Sequence, residues 1–232
     1  MPIYFGYDSG IFLVILAAIL GFVAQNAVQN TYRKFSRQAS RAGVTAAQAA
    51  QIVLQSQGVY DVSIGRVRGT LTDHYDPRAK TLRLSEGVYD STSIAALGIA
   101  AHEAGHAIQH DRNYAPLMLR NSIVPAVNFG SRASMPLLLI GLFLNSYLLA
   151  LLGVALYGLA VAFQLITLPV ELDASRRAMR ALSANGLLTQ EEEPKARKVL
   201  SAAASTYLAS AFAAVAQLLR LLTIVSRDRR RD

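Results

Sequence analysis

The sequence predicts a mainly α-helical membrane protein with several spans and a small α+β domain at the membrane surface. The chain of 232 residues is 53% hydrophobic and only 16% charged, whereas about 25% of the residues in a soluble domain are charged. Charge-free runs long enough to cross a bilayer recur along the chain. The polar segments between them combine helical and alternating patterns, which is typical of a compact mixed domain.

Three charge-free runs predict four membrane spans. The first covers residues 9–32 and has neither a basic leader nor a small-residue cleavage pattern, so we expect an uncleaved span. The second covers 38 residues, 133–170. As one helix it would be ~57 Å long against a hydrocarbon core of ~30 Å, so it predicts a hairpin that turns near Asn145 and Ser146. The third, residues 201–219, is rich in Ala and Ser, which favours close helix packing in lipid.

These runs divide the chain into five predicted parts. Because an even number of spans separates the two polar parts, we expect both on the same side of the membrane. The parts are an N-terminal span (1–30), a polar domain (31–132), the hairpin of two spans (133–170), a helix (171–199), and a last span with a basic tail (200–232).

Basic residues are concentrated on the side of the two polar parts. Arg33, Lys34 and Arg37 follow the first span, and Arg197 and Lys198 precede the last. The positive-inside rule places this side in the cytoplasm. We expect the chain to lie in the plasma membrane. The tail "RDRRRD" opposes that orientation if the last segment crosses. We expect the net charge of +8 to reflect topology rather than a nucleic-acid partner, because no basic stretch carries interleaved aromatic residues.

The first polar part shows a helix and two strands in order. "TAAQAAQIVLQSQG" predicts a helix with Thr45 as its N-cap and Gly58 just after its end. Residues 60–64 ("YDVSI") and 81–85 ("TLRLS") alternate between apolar and polar residues, which predicts two short strands.

A metal-binding pattern follows the second strand. We expect a helix to begin near Asp90 or Ser91 and to carry "HEAGH" on one face, with His102 and His106 one turn apart. The sequence contains no Cys, so a metal would need His, Asp or Glu ligands. In this motif class Glu103 is the general base that takes a proton from zinc-activated water. The alternative is a chance spacing of polar surface residues.

A catalytic zinc needs a third protein ligand. His110 lies one turn further along the helix, but a drift of about 40° per four residues strains that arrangement and favours a place at the rim. Glu171 and Asp173 follow a long apolar run on the same side of the membrane. Carboxylates at membrane depth are candidates for a functional role. Of the two, Glu171 is the preferred third ligand. The alternative is a pair of acids in the first turn of a helix that starts near Pro169.

Four separated blocks of the sequence stand out in order: "LTDHYDP", "LRLSEGVY", "AAHEAGHAIQH" and "LPVELDASRRA". Together they resemble the YugP family of bacterial membrane zinc metallopeptidases, and their layout resembles the HtpX-like gluzincins. This resemblance implies a zincin-like metalloprotease domain, Zn2+ as the cofactor, Glu171 as the third ligand and Asp173 as a second acid. Ser175 departs from the gluzincin pattern, which has an acid there.

The segment "DHYDP" offers a donor for the transition state. His74, or less favourably Tyr75, would stabilise a developing oxyanion if its loop folds over the metal. The alternative is a turn at Asp76-Pro77 in which Asp73 and Asp76 bind backbone groups. We also expect the strand at residues 81–85 to be an edge on which an extended substrate lies, so that proline at Leu82 or Leu84 would damage cleavage.

The function predicted is that of a membrane-embedded zinc endopeptidase at the cytoplasmic membrane surface. Its partners would be peptide or protein substrates, membrane proteins among them, and the lipid bilayer. Two alternatives stay open. One is a site-2-type intramembrane protease, for which Leu172-Asp173 lacks the usual following glycine. The other is a non-catalytic scaffold whose structural metal would take His110 as a fourth ligand.

Overall fold

The computed structural model describes residues 9–228, which form seven helices and three strands. Four of these helices are long and apolar enough to cross a membrane: α1, α5, α6 and α7. The predicted class of a mainly α-helical, multi-span membrane protein is therefore confirmed. The elements are α1 (Ser9–Phe35), α2 (Ala46–Ser56), β1 (Ser63–Val67), β2 (His74–Asp76), β3 (Thr81–Ser85), α3 (Glu86–Tyr89), α4 (Ile94–Asp111), α5 (Ala115–Phe143), α6 (Tyr147–Ala184) and α7 (Glu193–Asp228).

The described chain divides into two compact units. A membrane unit contains the described part of residues 1–23, Leu119–Leu168 and the described part of residues 206–232. A polar unit contains Ala24–Met118 and Pro169–Ser205. The last four residues of the basic tail lie outside the described residues.

The membrane unit contains the predicted hairpin. Helix α5 ends at Phe143 and α6 begins at Tyr147, and Asn145 in the turn has a positive φ of 54°. The two helices can pack closely because glycine, which has no side chain, lies at the points of contact. A Cβ atom on Gly141 or Gly153 would lie less than 3.0 Å from the backbone of the facing helix. The chain turns at residues 144–146, whereas the extent of the hairpin, residues 133–170, stays a prediction.

The polar unit contains a three-stranded sheet in the order β1-β3-β2. β1 runs parallel to β3, with Ser63 opposite Thr81, and β2 runs antiparallel to β3, with His74 opposite Arg83. The prediction of β3 was correct to the residue. β1 begins at Ser63 rather than at Tyr60, because the chain leaves its turn with Val59 and Val62 buried and pairs only afterwards.

The expectation that β3 is an edge strand is wrong. β3 is the middle strand and pairs with β1 on one side and β2 on the other, so its backbone groups have no free side for a substrate. Leu82 and Leu84 are both 0% exposed in the core. Proline at either position would disrupt the fold itself and would not test substrate binding.

Capping residues determine where the helices of the polar unit begin. Thr45 is the N-cap of α2 and Gly58 follows the helix with φ +78°, both as predicted. Thr45 also forms a capping box with Gln48. Helix α4 starts later than expected, because Ser93 is its N-cap and accepts the Ala96 N–H at 3.2 Å. The segment before Ser93 instead contains the short helix α3.

Candidate metal centre

Three side chains from two helices converge in the polar unit. Nε2 of His102 lies 3.3 Å from Oε2 of Glu171, and Nε2 of His106 lies 3.5 Å from the same oxygen. One donor atom from each residue lies within 4.8 Å of the other two. Of the residues described, these form the one group of three or more His, Asp or Glu side chains with that spacing. The structure therefore brings together the three residues that the sequence predicted as ligands.

Helix geometry explains the convergence. The His102 and His106 rings lie one turn apart on α4, with centroids 4.7 Å apart and planes at 84°. Helix α6 can approach α4 closely because Gly105 has no side chain: a Cβ atom there would lie 2.7 Å from the carbonyl oxygen of Ala174. This contact places Glu171, about one turn before Ala174, opposite the two imidazoles.

Glu171 lies in the interior of a continuous helix. α6 runs without a break from Tyr147 to Ala184, with Pro169 inside it. The alternative in which Glu171 and Asp173 occupy a first helical turn is therefore excluded. Glu171 is only 3% exposed. A carboxylate this deeply buried needs specific partners.

Side-chain hydrogen bonds orient both rings. Oε1 of Gln109 accepts from Nδ1 of His106 at 3.1 Å, which leaves Nε2 of the neutral ring with its lone pair facing Glu171. Nδ1 of His102 lies 3.1 Å from the Ser175 hydroxyl. In both rings the nitrogen directed at the cluster is thus Nε2.

Gln109 is the residue that the sequence analysis missed. It is 0% exposed, and its amide nitrogen donates to the Val170 carbonyl at 2.8 Å and to Oδ2 of Asp173 at 2.9 Å. Asp173 in turn accepts from Nε of Arg177 at 2.5 Å. Asp173 therefore supports Gln109 and does not join the three-residue cluster. The sequence signal for Gln109 was its position three residues after His106 on the same helix.

The spacing of the donor atoms fits zinc. Zinc–ligand distances of about 2.0–2.2 Å in a tetrahedron imply donor–donor separations of roughly 3.3–3.6 Å. The separations of 3.3 and 3.5 Å from Glu171 to the two imidazoles lie in that range. Two imidazoles and one carboxylate also match the donor set of a catalytic zinc site, which leaves one position for water or substrate.

The electrostatics of His106 reflect the same cluster. Burial lowers the pKa of its imidazole, but the protonated ring can donate Nε2–H to Glu171, and this hydrogen bond and the nearby charges of Glu103 and Glu171 raise the pKa by more. The pKa of His106 therefore stands above its ordinary value. Glu103 is half-buried, next to His102 in sequence, and close enough for its carboxylate to act on His106.

His110 lies outside the cluster. Its Nδ1 is 3.0 Å from the Tyr75 hydroxyl, and both residues line a separate cavity of about 320 Å³. Burial and nearby aspartates raise the pKa of Tyr75 to about 12, so its hydroxyl stays protonated near neutral pH. Within residues 9–228 the cluster thus contains three ligand-type residues, without His110 as a fourth.

His74 begins the short strand β2 and has an exposed side chain. Its Nδ1 lies 2.9 Å from the carbonyl oxygen of Thr72. The turn chemistry considered for this segment is also present: Oδ1 of Asp76 accepts the backbone N–H groups of Arg78 and Ala79. Asp73 accepts the N–H of Ser85 at 2.7 Å. The catalytic role of His74 stays a prediction.

Comparison with known proteins agrees with this geometry. The model of the family described as "Putative neutral zinc metallopeptidase" matches residues 10–226. The chain belongs to this family. A protein of Bacillus subtilis (strain 168) described as "Putative membrane protease YugP" is 47% identical over 219 residues, which cover 94% of this chain and 97% of the relative. No solved structure matches the chain.

Membership of the neutral zinc metallopeptidase family confirms the resemblance to a family of membrane zinc metallopeptidases. It implies Zn2+ as the cofactor, and His102, His106 and Glu171 could hold the ion. The similarity to a membrane protease agrees with the four apolar helices and supports a membrane location.

Proposed function

We propose that this chain is a zinc endopeptidase in which His102, His106 and Glu171 hold the metal and Glu103 is the general base. The observation that carries the proposal is the spacing of three donor atoms for one tetrahedral ion beside a half-buried carboxylate. The enzyme would be a gluzincin, the class of zinc peptidases whose third metal ligand is a glutamate from a second helix.

The reaction proposed is hydrolysis of a peptide bond. When bound, zinc supplies Lewis acidity that makes water a nucleophile near neutral pH. Glu103 accepts one proton from that water as its oxygen bonds to the peptide carbonyl carbon. The same carboxyl then delivers the proton to the amide nitrogen as the C–N bond breaks, so that Glu103 returns to its starting charge.

Oriented imidazoles support this chemistry. The contacts from Gln109 to His106 and from Ser175 to His102 hold each ring so that Nε2 points into the cluster. Partners of this kind fix the tautomer and raise the affinity of histidine for a metal. These contacts therefore support Nε2 of each histidine as the ligand atom.

Strand β2 is the better candidate for a substrate edge, since β3 is central. β2 pairs with β3 on one side only, and Tyr75 contacts His110, which places β2 against the helix that carries the cluster. An extended peptide could add to the free side of β2 by backbone hydrogen bonds. His74 on that strand would then be available to stabilise the oxyanion.

We also propose that the site faces the cytoplasm and acts on peptides or proteins, membrane proteins among them. The basic residues that lie on or next to the parts of α1 and α7 belonging to the polar unit support this orientation. Helix α4, which carries the two histidines, is not among the four apolar helices, and Glu171 lies on the part of α6 that belongs to the polar unit. This placement favours a surface site over an intramembrane one.

The deciding experiment measures zinc content and casein cleavage of the purified protein in detergent. We expect the wild type to hold one zinc and to cleave, Glu103→Gln to keep zinc and lose activity, and Glu171→Ala to lose zinc. Glu86→Gln removes an exposed carboxylate on α3 and should behave as wild type. A wild type without zinc, or an active Glu103→Gln variant, would refute the proposal.

A further inference from the structure

A groove lies between α1 and α7 in the polar unit. None of the three cluster residues lines it. Its volume is about 790 Å³, within the range of ligand pockets. Ala27, Thr31 and Lys34 line it from α1, and Arg197, Lys198 and Ser201 line it from α7. On each helix the lining residues recur at intervals of three and four, so one face of each helix forms a wall.

The groove lies where apolar helix gives way to basic helix. On α1, residues 9–32 carry no charge and Lys34 follows almost at once; on α7, Lys198 is the last charge before residues 199–219, which carry none. In a spanning helix this boundary lies at the level of the lipid headgroups. Ala27 and Ala202 extend the groove to the apolar side of that boundary.

The charges in the groove are mainly positive. Lys34, Arg197 and Lys198 all have exposed side chains. Across residues 9–228, none of these three cations forms an ion pair with a carboxylate. The groove has one acidic residue, Glu193, which accepts a hydrogen bond from the Ser183 hydroxyl at 2.6 Å.

We propose that this groove binds the headgroup of an anionic phospholipid. The planar guanidinium of Arg197 suits a phosphate, which it can contact with two parallel N–H groups. Lys34 and Lys198 add charge, and the amides of Asn30 and Gln190 add neutral donors. The acyl chains would follow the apolar wall beyond Ala27. The lipid would thus link α1 to α7 at the membrane surface.

The experiment titrates the full chain in neutral detergent with short-chain phosphatidylglycerol or phosphatidylcholine. The test variant is Lys34→Gln/Arg197→Gln/Lys198→Gln. The matched control is Arg33→Gln/Arg37→Gln/Lys195→Gln, which removes one cation from α1, one from the turn just after α1 and one from α7; none of the three lines the groove. Far-UV circular dichroism checks that each variant stays helical.

We expect the wild type to prefer phosphatidylglycerol and the control to keep that preference. The groove variant should bind phosphatidylglycerol on the order of a hundredfold more weakly, because each of the three cations contributes about fivefold to the affinity. Equal losses in both variants, or no preference in the wild type, would overturn the proposal. Displacement of the lipid by millimolar inorganic phosphate would overturn it too, because the ligand would then be free phosphate. If the triple variant fails to fold, Arg197→Gln alone must lose several-fold in affinity.

Discussion

The amide oxygen of Gln109 lies 3.1 Å from Nδ1 of His106 and determines which ring nitrogen of that histidine faces Glu171. The amide nitrogen of the same side chain donates to the carbonyl of Val170, the residue before Glu171. The buried side chain of Gln109 therefore contacts His106 on α4 and the backbone just before Glu171 on α6. The relative position of the two helices and the tautomer of His106 depend on the same group.

We expect Gln109→Leu to lower zinc affinity by about 10- to 100-fold, the usual effect of removing a partner of a metal-binding histidine. Leucine fills a similar volume but neither accepts from His106 nor donates to Val170 and Asp173. Competition with a chelator of known affinity measures the change. Gln55→Leu on the exposed face of α2 is the matched control and should bind zinc as the wild type does.

Unchanged zinc affinity in Gln109→Leu would show that the fold alone orients His106. The variant leaves the half-buried Asp173 with one partner fewer. Thermal unfolding without zinc therefore has to be measured beside affinity. A lower melting temperature with wild-type zinc affinity would mean a purely structural role for the glutamine.

A second prediction concerns Ser175, whose hydroxyl lies 3.1 Å from Nδ1 of His102. Ser175→Ala should weaken zinc binding by about tenfold, because His102 loses its orienting contact. Ser175→Asp places a carboxylate, a stronger acceptor for Nδ1–H, at the position where the gluzincin pattern has an acid. It should bind zinc at least as tightly as the wild type. The same chelator competition ranks the three proteins, and a weaker Ser175→Asp than Ser175→Ala would contradict the role of an acceptor.

The parts of the site that the sequence predicted are those that depend on local geometry. His102, Glu103 and His106 lie within two turns of one helix, so their spacing alone places them together. Glu171 could be proposed because a carboxylate after a long apolar run needs a partner. Both inferences use patterns that are visible within a few residues.

The parts that escaped prediction depend on how distant segments pack. Gln109 acquires its role from Val170 and Asp173, more than 60 residues away, and only because α4 and α6 touch at Gly105 and Ala174. Strand β2 has three residues and no alternating pattern, so its pairing with β3 cannot be seen in its own sequence. The central position of β3 follows from that pairing.

A third prediction tests the proposed donor on β2. His74→Ala should lower kcat for casein about 10²–10³-fold with zinc content unchanged, as expected for removal of a group that stabilises an oxyanion. Tyr75→Phe is the control on the next residue, since its hydroxyl contacts His110 and lies in a separate cavity. It should keep kcat within a few-fold. If kcat of His74→Ala equals that of the wild type, His74 does not stabilise the oxyanion. Its role would then be structural, through its contact with the Thr72 carbonyl.

A fourth prediction concerns Glu192, a buried carboxylate before α7. Its Oε1 accepts the Arg41 N–H and its Oε2 accepts the Thr189 N–H, both at 2.8 Å. Glu192→Gln keeps the shape but gives up a charged acceptor, so we expect a loss of about 1–3 kcal/mol of unfolding free energy at pH 7. Glu191→Gln removes the neighbouring exposed carboxylate, which pairs with Arg41 at 3.2 Å, and should cost less than about 1 kcal/mol.

The effect of Glu192 should depend on pH in one direction. Burial raises the pKa of its carboxyl, but the backbone N–H groups of Thr189 and Arg41 lower it by more, so the folded-state pKa lies below 4.5. The carboxylate therefore stabilises the fold fully above the unfolded-state pKa, and this contribution is lost as the pH falls through the folded-state value. Melting temperatures of wild type and Glu192→Gln should differ at pH 7 and converge as the pH falls well below 4.5. A difference that stays constant over this range would mean that the glutamate acts through its shape rather than its charge.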